Sequence, residues 1–183
     1  MKIAICIKQV PDSWAEKKMA GGVLDRAGVD AVLNDLDEYA VEEALRIVEA
    51  NSPTKEAGEA SGHTITLISM GPERATEAIR KALSMGADDA ILVSDPSLAG
   101  SDALATSLVL AEDIKKGNYD LVLCGTESTD ARMSVIPAMI SQRLGWAQLT
   151  FAGKVKADPA TTTVEIERVT EFGNQVMSAN FPA

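Results

Sequence analysis

The sequence predicts an α/β fold with a doubly wound, mostly parallel sheet and a C-terminal antiparallel strand extension. Short apolar runs alternate with helical patterns of about 10–15 residues, which is the arrangement of βαβ units. Only 4% of the 183 residues are aromatic, so the core must be largely aliphatic, as in helices packed on a parallel sheet. After residue 150 the pattern changes to strands. A chain of this length fits one domain, with a core over 1–150 and a strand-rich extension over 151–183.

The first part of the chain contains three predicted strands and two helices. Continuous apolar runs predict buried strands over residues 2–7, 64–70 and 90–93. Asn34 is a suitable cap for a helix that begins near Leu36 and carries acids in its first turn. A second helix follows the turn at Gly71-Pro72. Residues 51–62 are rich in Pro, Gly, Ala and Glu and are predicted to form a loop.

The second part continues this alternation and then changes to strands. Ser101 or Asp102 caps a third helix that runs to Lys116. A strand over 120–124 follows, and a fourth helix is predicted over about 131–145. The extension strands are predicted over 151–155, 162–169 and 175–180, and a short edge strand is predicted over 23–25. Charged and apolar residues alternate in the extension, which indicates one solvent-exposed face.

The formal net charge of −10 argues against nucleic acid as a partner, because nucleic-acid binding needs a basic surface. It also argues against an anionic membrane surface, and no apolar run reaches the roughly 18 residues of a membrane span. Solubility explains the charge, and a basic protein partner is the alternative. Cys6 and Cys124 lie in predicted buried strands, which is the reduced pattern of an intracellular protein. Together with the absence of a long apolar run, this predicts a cytoplasmic protein without direct membrane insertion.

The segment Gly125-Thr126-Glu127-Ser128-Thr129-Asp130 is the most informative turn of the chain. A buried strand that ends in such a turn is where open parallel sheets bind nucleotides, because a helix start offers free N–H groups to a phosphate. The alternative is a simple helix cap, since Ser, Thr and Asp are common capping residues. Right-handed crossovers place this turn at the same sheet edge as residues 8–12 and 70–73.

No set of catalytic residues is evident, so the chain is not predicted to be an enzyme. The single histidine, His63, lies in a polar loop and is predicted to be solvated. The sequence lacks G-x-S-x-G, Walker A and G-x-G-x-x-G motifs, and it has no Cys/His spacing typical of a metal site. An adenine nucleotide that is bound without hydrolysis fits this inventory. Asp130 would then accept from a ribose hydroxyl or cap the helix.

Five segments resemble the electron-transfer flavoprotein beta subunit in their order and spacing. They are IAICIKQVPD over 3–12, LNDLDEYAVEEA over 33–44, SMGP over 69–72, IRKALSMGAD over 79–88 and GTESTD over 125–130. The resemblance extends from Met1 to about Phe151, and it is specific because the segments occur together. It implies the adenine nucleotide alpha hydrolase-like form of the α/β fold.

The resemblance also implies a function and partners. In this family a larger alpha subunit holds most of one FAD, while the beta subunit covers part of the FAD and binds AMP structurally. The heterodimer carries electrons, as in fatty acid oxidation, from acyl-CoA dehydrogenases or similar flavin-dependent dehydrogenases to a membrane oxidoreductase or another acceptor. The residues that the resemblance assigns to AMP are Cys6, Lys8, Asn34, Asp37, Met70, Gly125, Ser128, Thr129, Asp130, Met133 and Ser134.

Two parts of the chain depart from the family pattern. After Asp130 the family usually has small residues, often Gly, whereas here Ala131-Arg132-Met133 follow. Arg132 therefore either reaches a phosphate or crowds it. The tail over 166–173 fits the family's acid and glycine pattern only loosely, and the family continues beyond it into a partner-docking loop and a C-terminal arm.

Two other functions share the expected fold class. A stand-alone sensor of the universal stress type would bind ATP or AMP and form a homodimer, but its glycine-rich phosphate signature is absent near the last strand–helix turn. A nucleotide-cleaving, ligase-type enzyme would need a Ser-Gly-Gly loop after the first strand, where this chain has Lys8-Gln9-Val10-Pro11. The sequence therefore favours the electron-carrier subunit, and the sensor stays the main alternative.

Overall fold

The computed structural model describes residues 1–52 and 62–183. Its strands are β1 (Lys2–Cys6), β2 (Gln9–Pro11), β3 (Met19–Ala20), β4 (Val23–Leu24), β5 (Ala31–Leu33), β6 (Thr64–Met70), β7 (Asp89–Val93), β8 (Leu121–Cys124), β9 (Ala152–Asp158), β10 (Thr163–Thr170) and β11 (Gly173–Asn180). Its helices are α1 (Asp35–Ala50), α2 (Thr76–Ser84), α3 (Ala103–Gly117) and α4 (Ile136–Leu144), with 3₁₀ turns at Glu73–Ala75 and Pro96–Leu98. Most of the loop predicted over 51–62 lies outside the described residues.

A parallel sheet forms the centre of the fold and confirms the predicted class. Its strand order is β7-β6-β1-β8, and every neighbouring pair is parallel. The chain moves outward from β1 to β6 and β7, and then returns to place β8 on the other side of β1. The strand order therefore reverses between β1 and β8, which is where doubly wound sheets bind ligands.

Helices cover both faces of this sheet. Ile3 and Ile5 of β1 belong to one apolar cluster with Val41 of α1, whereas Ala4 belongs to a second cluster with Leu110 of α3. This alternation follows from strand geometry, because successive side chains point to opposite faces. Since both faces of β1 are covered, its apolar run is continuous instead of alternating with polar residues.

Helix α4 begins at Ile136, so the predicted start near residue 131 is wrong. Pro137 explains the difference. In a helix that began near 131, Pro137 would fall in the second turn, where its missing N–H and its ring disrupt the helix, whereas the first turn tolerates both. Arg132 and Ser134 also have left-handed φ values of 51° and 53°, which interrupt a right-handed helix. The free N–H groups of α4 therefore lie beyond the polar turn.

The segment between β1 and α1 is more regular than its sequence suggests. Strand β2 pairs antiparallel with β5, and β3 pairs antiparallel with β4 in a short hairpin. Strand β4 confirms the short edge strand predicted over 23–25. The β2–β5 pair brings the residues that precede α1 back to the end of β1.

The C-terminal extension is antiparallel, as predicted, with the order β11-β10-β9. Val164 of β10 and its partner Ala157 of β9 are buried in the same apolar cluster as Ile3. The last residue, Ala183, lies beside β8, where its carbonyl accepts from the Val122 N–H at 2.8 Å. Among residues 1–52 and 62–183, no helix has the length and apolar character needed to cross a membrane.

Candidate functional site

Polar residues from three segments meet at the carboxyl edge of β1 and β8. Lys8 follows β1, Asn34 and Asp37 lie at the start of α1, and the polar turn over 125–130 follows β8. The Asn34 N–H donates to the Lys8 carbonyl at 2.9 Å, and the Lys8 N–H donates to Asp37 Oδ2 at 2.8 Å. The start of α1 is thereby fixed to the end of β1, next to the point where the strand order reverses.

Asn34 fixes the conformation of the polar turn. Its Nδ2 donates to the Glu127 carbonyl at 3.0 Å, and its Oδ1 accepts from the Thr129 N–H at 3.0 Å. Asn34 occupies the predicted N-cap position of α1, but its side chain makes no capping hydrogen bond. The side chain is fully buried, so losing these partners would leave buried polar groups unpaired. The turn is therefore coupled to α1.

Gly125 allows the turn to pass close to the start of α1. A Cβ at this position would contact the Asp37 carboxylate and lie 2.9 Å from the Leu36 carbonyl carbon. The buried Asp37 carboxyl accepts the Lys8 N–H and lies against Gly125. Burial raises the pKa of Asp37 to about 7, although hydrogen bonds from Asn34 and Lys8 favour the carboxylate. Asp37 therefore ties the ends of β1 and β8 together.

Asp130 connects the turn to two cations. Lys8 Nζ lies 3.0 Å from Asp130 Oδ1, and Arg26 Nη1 lies 2.6 Å from Asp130 Oδ2. Lys8 Nζ also donates to Ser128 Oγ at 3.4 Å. Burial raises the pKa of Asp130, but hydrogen bonds from Ser128 and Lys8 and the ion pair with Arg26 outweigh this effect and lower the pKa to about 2. The carboxylate is therefore ionised at neutral pH.

Arg26 is the functional candidate that the sequence analysis missed. It follows β4 and lies far from the turn along the chain, and no motif surrounds it. A long-range ion pair leaves no periodic or local signal in a sequence. Only the fold reveals that this guanidinium reaches Asp130.

The other predicted site residues lie at the margins of this group. Ser134 Oγ donates to Glu127 Oε2 at 3.0 Å. Met133 is exposed, and Met70, at the end of β6, packs in the apolar cluster that includes α3. The structure thus brings seven of the predicted residues into one contact group: Lys8, Asn34, Asp37, Gly125, Ser128, Thr129 and Asp130.

The two cysteines lie directly below this edge as partners on adjacent strands. Cys6 of β1 is in register with Cys124 of β8, and both are free thiols. The hydrogen bond between the thiols, together with burial, raises the pKa of Cys6 well above its ordinary value. Cys6 is therefore a neutral thiol at physiological pH and supplies no charge to the site.

Arg132, the departure from the family pattern, contacts the turn itself. Its N–H donates to the Ser128 carbonyl at 2.9 Å, and its Nε donates to the Thr129 carbonyl at 3.4 Å. The guanidinium therefore lies against the backbone of the turn in this structure.

A cavity of about 450 Å³ opens beside the turn. It is lined by residues of α1, β8, α4, the segment before β9, and strands β9 and β10, and the lining also includes Gly125, Thr126 and Ser134. The volume lies within the range of small-molecule sites, which combine apolar walls with a few polar groups. Lys8 and Arg26 are not among the residues that line this cavity. The N–H groups and hydroxyls of the turn, together with these two cations beside Asp130, are suited to an anionic ligand.

Within the described ranges, no group of three or more His, Cys, Asp or Glu side chains is arranged to hold a metal ion. His63, predicted to be solvated, is instead half-buried, and its Nδ1 lies 3.0 Å from the amino nitrogen of Met1. This contact lies at the start of β1 and β6, opposite to the carboxyl edge.

Comparisons with known proteins agree with the resemblance of the five segments. The family model described as electron transfer flavoprotein domain matches residues 21–182. The chain is 45% identical to electron transfer flavoprotein subunit beta of Mycobacterium tuberculosis over 184 residues, which cover 99% of this chain and 66% of that protein. It is 39% identical to electron transfer flavoprotein subunit beta of Megasphaera elsdenii, covering 100% of this chain and 66% of that protein.

A relative with a different name extends the comparison. The chain is 38% identical to Protein FixA of Azotobacter vinelandii over 189 residues, which cover 100% of this chain and 63% of that protein. The chain thus spans just under two thirds of the length of these curated relatives. Because the family model matches most of the chain and these relatives align along nearly all of it, the chain belongs to the electron transfer flavoprotein family, where it is similar to the beta subunits.

Proposed function

We propose that this chain acts as the beta subunit of a heterodimeric electron transfer flavoprotein. In this role it binds AMP structurally and helps to cover an FAD that an alpha subunit holds. The heterodimer carries electrons from acyl-CoA or similar flavin-dependent dehydrogenases to an acceptor in the cytoplasm. The chain is an electron-carrier subunit and not an enzyme. Family membership and the names of the relatives support this role.

The hydrogen-bonded turn at the β1–β8 edge is the observation that carries the AMP assignment. Backbone N–H groups and hydroxyls of residues 125–130, together with Lys8, would hold the nucleotide, while Asn34 and Asp37 fix the turn from α1. The adjacent cavity of about 450 Å³ has the apolar walls that an adenine ring needs. We keep Cys6, Met70, Met133 and Ser134 as peripheral residues of the same proposed site.

FAD is assigned mainly to the alpha subunit. Its flavin supplies the electron-accepting and electron-donating chemistry when it is bound. This chain contains no G-x-G-x-x-G turn of the kind that holds a dinucleotide pyrophosphate, and the carboxyl edge of its sheet is assigned to the mononucleotide. The contribution of this chain is therefore to cover the flavin site and exclude water from it.

The first test is to denature the purified chain and identify any released nucleotide by mass spectrometry. AMP supports the proposal. ATP would instead support the stress-type sensor, and an empty site would contradict the AMP assignment. Asp130→Ala tests the turn. Without this carboxylate, Lys8 and Arg26 lose the group that positions them at the sheet edge, and AMP retention should weaken. Asp158→Ala is the matched control, since Asp158 accepts from the Ala160 N–H in a turn far from the site.

The second test concerns the heterodimer. The chain is mixed with an electron transfer flavoprotein alpha subunit, and the flavin that stays bound after gel filtration is measured by its absorbance. Co-elution of both subunits with more flavin than the alpha subunit retains alone supports the proposal. Separate elution of the two subunits would contradict pairing of this chain with the alpha subunit.

A further inference from the structure

Two cations, Lys8 and Arg26, share the Asp130 carboxylate. Lys8 and Arg26 approach different oxygens of Asp130, whose side chain is 2% exposed, whereas the Lys8 and Arg26 side chains are 40% and 50% exposed. The anion is thus buried while both cations reach solvent. One carboxylate neutralises one cation, so the cluster carries a net charge of +1 in a chain whose overall charge is −10.

The backbone that carries Arg26 is fixed in place. The Arg74 guanidinium donates to the carbonyls of Arg26, Ala27 and Val29 at 3.1, 3.4 and 3.0 Å. Asp25 Oδ1 accepts the N–H groups of Ala27 and Gly28 at 3.1 and 3.0 Å. These bonds hold the segment after β4 against the 3₁₀ turn that follows β6. Arg26 therefore reaches the carboxyl edge from a preorganised loop, which reduces the entropy cost of binding a ligand.

The Arg26 guanidinium keeps hydrogen-bonding capacity. Nη1 lies 2.6 Å from Asp130 Oδ2, and this contact uses one nitrogen of the guanidinium. Guanidinium has five N–H donors in a planar fork that matches phosphate oxygens. In the described part of the chain, Arg26 has no ion-pair partner within 4 Å other than Asp130. Its donors are available to an anion at this edge.

We propose that Arg26, together with Lys8, binds the phosphate of the nucleotide, and that Asp130 is the buried positioning residue that holds the two cations at the edge. This inference rests on the proposed function, since it names the contacts of the same nucleotide. A phosphate monoester carries close to two negative charges at neutral pH, and the net positive charge of Lys8, Arg26 and Asp130 together attracts it. In this arrangement Arg26 contacts the phosphate of AMP and not its adenosine part. Comparing AMP with adenosine therefore separates the two contributions to binding.

The test measures the affinities of AMP and adenosine by calorimetry for nucleotide-free unmodified chain, Arg26→Gln and Arg26→Lys. Loss of one charge-assisted contact should weaken AMP binding by about 10-fold and change adenosine binding by less than about 2-fold. Arg26→Lys keeps the charge but not the planar fork, so it should recover only part of the AMP affinity that Arg26→Gln loses. Arg46→Gln is the matched control, because Arg46 is an exposed arginine paired with Glu42 on α1.

The possible outcomes separate this inference from the proposed function. If the unmodified chain binds AMP and Arg26→Gln binds it equally well, only the inference on Arg26 is overturned. If Arg26→Gln loses AMP and adenosine affinity to the same extent, Arg26 has a structural role and the inference is also overturned. If the unmodified chain binds neither ligand, the AMP assignment itself fails and the inference fails with it. Melting temperatures show whether each variant is folded, and Arg26→Met, which also removes the charge, takes the place of Arg26→Gln if Arg26→Gln does not fold.

Discussion

Gly125 is the residue at which the turn and α1 approach most closely, so a single added methyl group tests their contact. Gly125→Ala would place a Cβ 2.9 Å from the Leu36 carbonyl carbon and against Asp37. Leu36 contributes backbone atoms, which cannot move as the end of a flexible side chain does, and the Asp37 carboxylate is held by the Lys8 N–H. We expect the free energy of unfolding to fall by about 1–3 kcal/mol, as measured by urea denaturation.

Gly153→Ala is the control for this substitution. Its Cβ would meet the Glu167 carbonyl and the Val169 side chain at 3.3 Å, a distance that small shifts accommodate. We expect Gly153→Ala to lower the free energy of unfolding by clearly less than Gly125→Ala does. Equal losses in the two variants would show that the close approach at Gly125 is not a special constraint.

Asp37 makes stability depend on pH in the direction opposite to an ordinary carboxylate. Its pKa is raised from 3.8 to about 7 in the folded chain, so the unfolded chain loses this proton first as the pH rises. The raised pKa of Asp37 therefore adds to the free energy of unfolding at low pH. This stabilising contribution is complete below about pH 4, falls as the pH rises, and is lost above about pH 7. When the pH is raised from 5 to 8, we expect the free energy of unfolding to fall by about 2–3 kcal/mol because of Asp37.

The measurement compares unmodified chain with Asp37→Asn by urea denaturation at pH 5, 6, 7 and 8. The variant cannot ionise, so the difference between the two proteins should shift in favour of the variant as the pH rises. If the free energies of unfolding of the two proteins differed by the same amount at every pH from 5 to 8, Asp37 would already be a carboxylate at pH 5. The Asp130 carboxyl, with a pKa lowered to about 2, adds no pH dependence in this window because it is ionised in both states.

At the scale of elements, the contact between α1 and the turn depends on one amide. Asn34→Ala removes the side chain that bonds Glu127 and Thr129 and leaves their partly buried backbone groups unpaired. We expect a loss of about 1–3 kcal/mol in the free energy of unfolding, from two partly buried hydrogen bonds. We also expect faster hydrogen exchange at the Thr129 amide, which reports opening of the turn.

Asn174→Ala provides the comparison for Asn34→Ala. Asn174 Nδ2 donates to Glu167 Oε1 on an exposed strand of the extension, where water replaces the lost partner. Its stability should change by less than about 0.5 kcal/mol, and the Thr129 amide should exchange at the unmodified rate. A normal Thr129 exchange rate in Asn34→Ala would contradict the role given to Asn34.

Elements with local signals could be predicted from the sequence, and those set by distant contacts could not. Strand β6 was predicted with its exact ends because its apolar run is bounded by polar and turn residues. The start of α4 was misplaced because hydroxyl and acidic residues resemble a helix cap. The contrary signal was Pro137, which belongs in the first turn of a helix.

The candidate site likewise contains residues that local sequence identifies and residues that only the fold identifies. The turn over 125–130 was identified because glycine and hydroxyl residues directly follow a buried strand. The exact partners of Asn34 were not predicted, since a capping residue and a residue that bonds a distant turn have the same local sequence. Arg26 was missed entirely because its partner lies on another strand–helix connection. Local patterns therefore locate the site, and the fold identifies which side chains meet there.

At the scale of the whole molecule, the extension and the sheet share one apolar core, and this predicts that they unfold together. Val164 of β10 is 1% exposed and belongs to the cluster that includes Ile3 and Val41. Val164→Ala therefore opens a cavity in the core of the sheet and not only in the extension. We expect the free energy of unfolding of the entire chain to fall by about 1–3 kcal/mol.

The measurement follows urea denaturation of Val164→Ala by far-ultraviolet circular dichroism, which reports the strands of the extension as well as the helices, and by fluorescence of Trp14 and Trp146, which both precede the extension. The two transitions should coincide and shift together, because a single cooperative unit has one midpoint for every probe. Val176→Ala is the control, since Val176 is 67% exposed on the neighbouring strand and should shift neither transition. An early transition of the extension alone would show that residues 151–183 unfold independently, which would contradict the proposal that 1–183 form one domain.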